Sequence, residues 1–187
     1  MTRHRDTREF VHRIDRDDRI SFVNGAWLDF AAENGWQRTP RQVLGAPLMP
    51  QIADAETRHI YRLLIERTRA SDRTTRFCYR CDSPGFRRFM EMRVGSAGRG
   101  QVEFRSRVLR LERRPPIEVL DSARRDRSAD ILRICSWCKA VSANGVWVEL
   151  EEGLREMGIF ASIGLPQISH GICPACSERM GRKGEGL

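Results

Sequence analysis

The stretch Thr74-Thr-Arg-Phe-Cys-Tyr-Arg-Cys-Asp-Ser-Pro-Gly-Phe-Arg-Arg-Phe-Met-Glu-Met-Arg-Val-Gly-Ser-Ala-Gly-Arg-Gly-Gln-Val-Glu-Phe-Arg-Ser-Arg-Val-Leu-Arg-Leu111 decides the fold class. It contains three runs of alternating character, Thr74 to Cys81, Arg87 to Val94 and Gln101 to Leu111. The breaks between them, Asp82-Ser-Pro-Gly85 and Gly95-Ser-Ala-Gly-Arg-Gly100, have the composition of tight turns. Successive strand side chains point to opposite faces. Phe77, Tyr79 and Cys81 therefore share one side of the first strand; Met90, Met92 and Val94 share one side of the second, and Val102, Phe104 and Val108 one side of the third. The pattern predicts a three-stranded antiparallel run with one apolar face.

Upstream, Phe10 to Ile14 and Arg19 to Val23 read as two short strands joined by the turn Asp15-Arg-Asp-Asp18. Asn24-Gly25 opens a helical stretch carrying Trp27, Leu28, Phe30, Ala31 and Ala32, which stops at Asn34-Gly35. After a loop through Pro40, Gly45, Pro47 and Pro50, Asp54 caps a second helix whose Ile60, Leu63, Leu64 and Thr68 recur at three- and four-residue steps. Two strands, helices and three more strands assemble most simply as one five-stranded antiparallel sheet with helices on one face, an α+β arrangement over residues 8 to 114.

That order resembles the PAS sensor family, in which the asparagine ending the second strand, as in Ile20-Ser-Phe-Val-Asn24, leads into the helix that packs over the sheet. The segment from Tyr79 through Met90 also looks like part of one PAS subgroup. The resemblance implies a sensor or adaptor that holds a small molecule or cofactor between sheet and helices. His59 lies on the helix where some PAS haem sensors carry an axial histidine, but a solvent-exposed histidine is the favoured reading. No cysteine precedes Cys78, so the flavin photosensor chemistry of this family is not indicated, and Trp27, Phe30 and Trp36 read as ordinary core.

The paired prolines of Arg113-Arg-Pro-Pro116 mark a boundary, because they cannot continue a strand ladder. Ile117, Leu120 and Ala123, with Ile131 after a break, give a thin apolar stripe, so the linker over residues 115–130 is expected to be helical. Gly181 to Leu187 reads as a frayed tail.

Residues 131–180 carry the strongest chemical signal: Cys135-Ser-Trp-Cys138 and Cys173-Pro-Ala-Cys176. A CxxC turn presents two sulfurs to one side of an ion, and two such turns complete the tetrahedron that zinc prefers. Between them, Asn144-Gly145 reads as a turn, Val146 to Val148 as a strand, and Glu149 to Met157 as a helix with Leu150 and Leu154 facing inward. Buried inert thiols and a redox-active pair are the alternatives. The string Ser169-His-Gly-Ile-Cys-Pro-Ala-Cys176, with Ile134-Cys-Ser-Trp-Cys-Lys139 upstream, resembles a small module at the C-terminal end of PAS-containing bacterial signalling proteins. His170 is a candidate hydrogen-bond donor to a ligating thiolate, Gly171 a candidate for backbone geometry other residues resist, and Lys139, Arg133 and Arg179 candidate counter-charges. Cys78 and Cys81 do not belong to this set: three apart on a strand, they sit about 10 Å from each other on opposite faces. That is too far for joint chelation or a disulfide.

The formal charge of +8, carried by 31 Arg and 2 Lys among 25 acids, forms no basic block. It leaves nucleic-acid binding open without requiring it. No apolar stretch long enough for a membrane span is present, and neither a secretory signal nor an enzyme motif (nucleophile elbow, phosphate loop or HExxH) is found. The sequence thus leads to a non-catalytic cytoplasmic bacterial signalling protein with one structural zinc. A signalling partner, and a homodimer through the PAS-like domain, are implied. A nucleic-acid-binding zinc protein such as a transcription regulator, and a thiol-based redox switch, stand as alternatives.

Overall fold

The computed structural model describes residues 8–52, 54–121, 123–159 and 164–185, with the backbone alone over 181–185. The first hairpin is β1 (Glu9–Ile14) and β2 (Ile20–Val23), turned at Asp18 in the left-handed region. Asn24 then organises its surroundings: its side chain accepts hydrogen bonds from the Val11 and Trp27 amides at 3.0 and 2.9 Å and donates to the Glu9 carbonyl at 2.8 Å. One residue thereby caps α1 (Gly25–Glu33) and ties it back to β1. The helix stops at Asn34, with Gly35 at φ 81°.

The loop that follows contains a short α2 (Pro40–Val43) and one 3-10 turn at Met49–Gln51, and leads to α3 (Ala55–Ser71), capped by Asp54. Next come β3 (Thr75–Arg80), β4 (Phe86–Ser96) and β5 (Val102–Arg113), all antiparallel. The sheet order is β2-β1-β5-β4-β3, so the first hairpin docks beside the last strand and β3 is an edge. The expected five-stranded antiparallel sheet is present, with α1 against β1 and α3 across β4 and β5. Phe77, Met90, Met92, Val94, Val102 and Phe104 are all buried on the side predicted from alternation. On the opposite face Glu91, itself buried, meets Arg76 and Arg107 of the flanking strands at 3.6 and 3.0 Å and Arg93 of its own strand at 3.3 Å.

The segment expected as a helical linker is different. It makes one 3-10 turn at Glu118–Leu120 and then a strand, β6 (Arg127–Cys135). Burial explains the correction: Leu132 and Ile134 are buried while Ile131 is 71% exposed, which is the two-residue period of a strand. β6 is central to a second sheet of order β8-β7-β6-β9, built with β7 (Val141–Ala143), β8 (Val146–Val148) and β9 (Leu165–Gly171). β7 and β8 turn at Asn144 and Gly145, both at positive φ, as the Asn-Gly pair predicted. β6 and β9 run parallel, and α4 (Leu150–Glu156) lies between β8 and β9 in the chain. Leu150 and Leu154 join Ile117, Val119, Leu132, Ile134 and Val141 in the core of this layer. α5 (Pro174–Glu185) follows, so the expected frayed tail is helical as far as Glu185. Gly186 and Leu187 lie outside the described residues.

The two sheets meet through a buried ion network. Asp82, with its side chain fully buried, pairs with Arg80 and, at 3.2 Å, with Arg114. Arg80 also reaches Glu149 at 2.6 Å, and Glu151 receives Arg114 and Arg87 at 2.8 and 2.7 Å. Alternation puts Arg80 on the same face of β3 as Cys78, yet it is only 7% exposed because this network folds over it. Cys78 itself is exposed, and Cys81 is largely covered.

Candidate metal centre

Four sulfurs, from Cys135, Cys138, Cys173 and Cys176, lie within 4.8 Å of one another. The first pair sits at the end of β6. The Cys135 amide donates to the Ala140 carbonyl at 2.8 Å, the Lys139 amide donates to the Cys135 carbonyl at 3.0 Å, and Lys139 adopts φ 64°. This curl brings Cys138 back over Cys135. The second pair begins α5: Cys173 precedes it, Pro174 is its first residue and Cys176 lies in its first turn. The Cys176 amide donates to the Cys173 sulfur at 3.4 Å, and the Cys173 amide to the Cys135 sulfur, also at 3.4 Å. Thiolates here sit at the positive end of a helix and among backbone donors, both of which favour their charge.

The parallel pairing of β6 with β9 sets the two turns side by side, with Cys135 opposite Gly171. Cys135, Cys173 and Cys176 are buried and Cys138 is half-buried. The Cys138 and Cys173 sulfurs are 3.7 Å apart. Zinc–sulfur bonds of about 2.3 Å in a tetrahedron place sulfurs about 3.8 Å apart, a separation that the Cys138–Cys173 pair already has and that the 4.8 Å limit on the whole set approaches. As free thiols, Cys135, Cys138 and Cys176 compete for protons. Hydrogen bonds from Cys138 and Cys176 hold Cys135 far below the usual thiol range, while the bond to Cys135 pushes Cys138 up to about 11 and raises Cys176 as well.

Arg179 on α5 donates to the Cys176 sulfur at 3.2 Å, and the Lys139 ammonium donates to the Ser136 carbonyl at 3.0 Å. Two of the three candidate counter-charges thus lie at the site. Arg133 instead approaches Glu56 at 3.7 Å and covers the Trp147 ring. Among the described residues the side-chain donor to a cysteine sulfur from outside the four is Arg179; His170 lies on the outer run of β9, where partial desolvation and the nearby Lys139 lower its pKa against the opposing pull of Asp54. Gly171 does not have a positive φ; its bare backbone makes room for Arg133, whose Nε lies 2.8 Å from where a β-carbon would be.

The knuckle residues between the ligands reach the first sheet. Trp137 is 3% exposed and packs edge-on to Phe77 at 4.9 Å and tilted against Tyr61 at 6.3 Å, between α3 and β3. Its carbonyl accepts from the Arg80 amide at 2.7 Å, continuing the edge of β3. Ser136 donates to Asp54 at 2.8 Å, while the other Asp54 oxygen caps α3 through the Thr57 amide at 2.7 Å. Burial opposes ionisation of Asp54, but these bonds win and hold its pKa below the ordinary carboxylate value. Three of the four cysteines therefore share one apolar cluster with Phe77, Met92 and Phe104 of the first sheet.

On the sheet's helix side, His59 is exposed on α3, as the favoured reading had it. The histidine that faces the interior is His12, stacked on Phe104 at 4.7 Å and 6.0 Å from Trp27, where burial pulls its pKa down to about 4. On sequence, His59 is singled out and not His12, although Phe10, His12 and Ile14 alternate along β1. Tyr61 lies nearby, its hydroxyl directed to the Met92 sulfur at 3.9 Å, and burial raises its pKa to about 12.

No family model and no curated protein matches the chain. Several solved structures are similar to a little over half of it. The PAS domain of Bordetella pertussis BvgS shares 17% identity at a TM-score of 0.38, over 55% of this chain and 74% of that one. The photoactive yellow protein domain of the sensor histidine kinase Ppr from Rhodospirillum centenum shares 15% at 0.42, over 55% and 87%. The PAS domain of an HTR-like protein from Haloarcula marismortui shares 18% at 0.37, over 56% and 90%. Likenesses this distant carry no argument about function, which rests on the residues above.

Proposed function

We propose that this chain is a non-catalytic sensor or adaptor of bacterial cytoplasmic signalling, in which a PAS-like sheet is fastened to a C-terminal layer by one structural zinc. The observation that carries the metal assignment is the convergence of four cysteine sulfurs, three of them buried, at a spacing suited to a tetrahedral ion. Zinc is the natural occupant of an all-thiolate tetrahedron. Four protein ligands complete the shell and leave no position for an activated water, so the ion's contribution is to folding rather than to hydrolysis. What such a protein offers a signalling partner, or a second copy of itself, is the surface and interior of the sheet that the ion braces.

Protein purified without added metal and analysed by plasma mass spectrometry should contain about one zinc per chain. An absent or substoichiometric metal would overturn the structural-zinc reading. Titration with duplex DNA and RNA provides the second test: tight binding that weakens steeply with salt would move the assignment to a nucleic-acid-binding zinc protein.

A further inference from the structure

We infer that the metal centre controls the order of the sheet's β3 edge and of α3, because the residues between its first two ligands are structural parts of both. Ser136 directly follows the ligand Cys135, and Trp137 directly precedes the ligand Cys138. Ser136 bonds the capping residue of α3 at 2.8 Å, the Trp137 carbonyl bonds the Arg80 amide of β3 at 2.7 Å, and the Trp137 ring fills the space between Tyr61 of α3 and Phe77 of β3. These contacts are made by a turn whose curvature the ion fixes. Each depends on the others, since a displacement that breaks one moves all three.

The seat is also imperfect without that constraint. The Trp137 indole Nε1 is buried and has no hydrogen-bond partner among the described residues. An unmatched buried donor offsets part of what the ring gains by burial, so the seat is favourable but weak, and the ion that holds the two ends of the knuckle secures it. Metal occupancy and closure of the α3–β3 slot are therefore linked, and the linkage is reciprocal: whatever opens the slot weakens metal binding. Zinc loss would free an edge strand and an aromatic-lined slot together, which gives a sensor of this fold a signal that originates in its own C-terminal layer.

This inference rests on the metal-bound reading, and nuclear magnetic resonance hydrogen exchange separates the two. If the purified protein holds no metal, that reading fails first. If metal is held, a chelator should abolish protection of the Arg80 amide while central amides of β4 and β5 keep theirs. Unchanged Arg80 protection, or loss of protection throughout the sheet, would overturn the inference. Trp137→Ala supplies the reciprocal measurement in a chain whose four ligands are intact: competition against a chromogenic chelator should show zinc affinity lowered at least about tenfold, with Trp137→Phe intermediate. Equal affinity in all three proteins would refute the linkage.

Discussion

Asp82→Ala should be among the most damaging single substitutions outside the ligands. The Asp82 side chain is fully buried, and its partners Arg80 and Arg114 have side chains only 7% and 8% exposed. Removing one member of such a network leaves cations in a medium that penalises them, at a typical cost of 3–5 kcal/mol. Glu149 still meets Arg80 and Glu151 still meets Arg114, at 2.6 and 2.8 Å, which sets the expectation at the lower end, about 3 kcal/mol. With a urea dependence of about 2 kcal/mol per M, the unfolding midpoint should fall by about 1.5 M. The assay is urea denaturation of the zinc-loaded protein followed by circular dichroism, with bound zinc measured on the same samples. Replacing Asp82, Arg80 and Arg114 together by apolar residues should recover much of the loss, since the penalty lies in unpaired charge. A shift below about 0.3 M for Asp82→Ala would refute the reasoning, because it would mean that the arginines are solvated.

Acid should weaken the fold through His12, whose folded pKa is lowered to about 4 by burial. Between pH 6.5 and 4 the unfolded chain takes up a proton that the folded chain refuses, so stability falls as pH falls across that window, by roughly 2–3 kcal/mol at its lower end. Thermal unfolding at stepped pH should show this slope in the parent and a flatter one in His12→Phe; equal slopes would exclude His12 as the cause. Gly153→Ala places a β-carbon 2.3 Å from Val141 Cγ2 and 3.0 Å from Val148 Cγ2. The helix-propensity gain should be outweighed, for a net loss of about 1–3 kcal/mol by denaturant titration, and stabilisation would show that α4 can lift off β7.

Much of the first sheet was legible because its strands obey a clean two-residue period and its turns carry Gly, Pro and Asp. The cysteine site was legible for another reason: two CxxC turns announce a ligand set whatever lies between them. β6 was not, because a single exposed residue, Ile131, completed a false helical stripe with Ile117, Leu120 and Ala123. Local periodicity cannot tell which apolar residue faces solvent until the pairing of β6 with β9 is known. The same limit hid Arg80, whose burial depends on Asp82 nearby in sequence and on Glu149 sixty-nine residues away. Nothing local to Cys135-Ser-Trp-Cys138 gives Trp137 a role; its place between α3 and β3 is purely tertiary. His12 was within reach, since β1 alternates Phe10, His12 and Ile14 toward the interior, but the PAS resemblance singles out a histidine on the second helix, His59.

The most direct test is the zinc content of single cysteine-to-serine variants purified side by side. Substitution at Cys135, Cys138, Cys173 or Cys176 should lower bound zinc well below one per chain and loosen the C-terminal layer, while Cys78→Ser and Cys81→Ser should retain a full equivalent. Zinc retained in all four of the first set, or lost only on changing Cys78 or Cys81, would contradict the assignment.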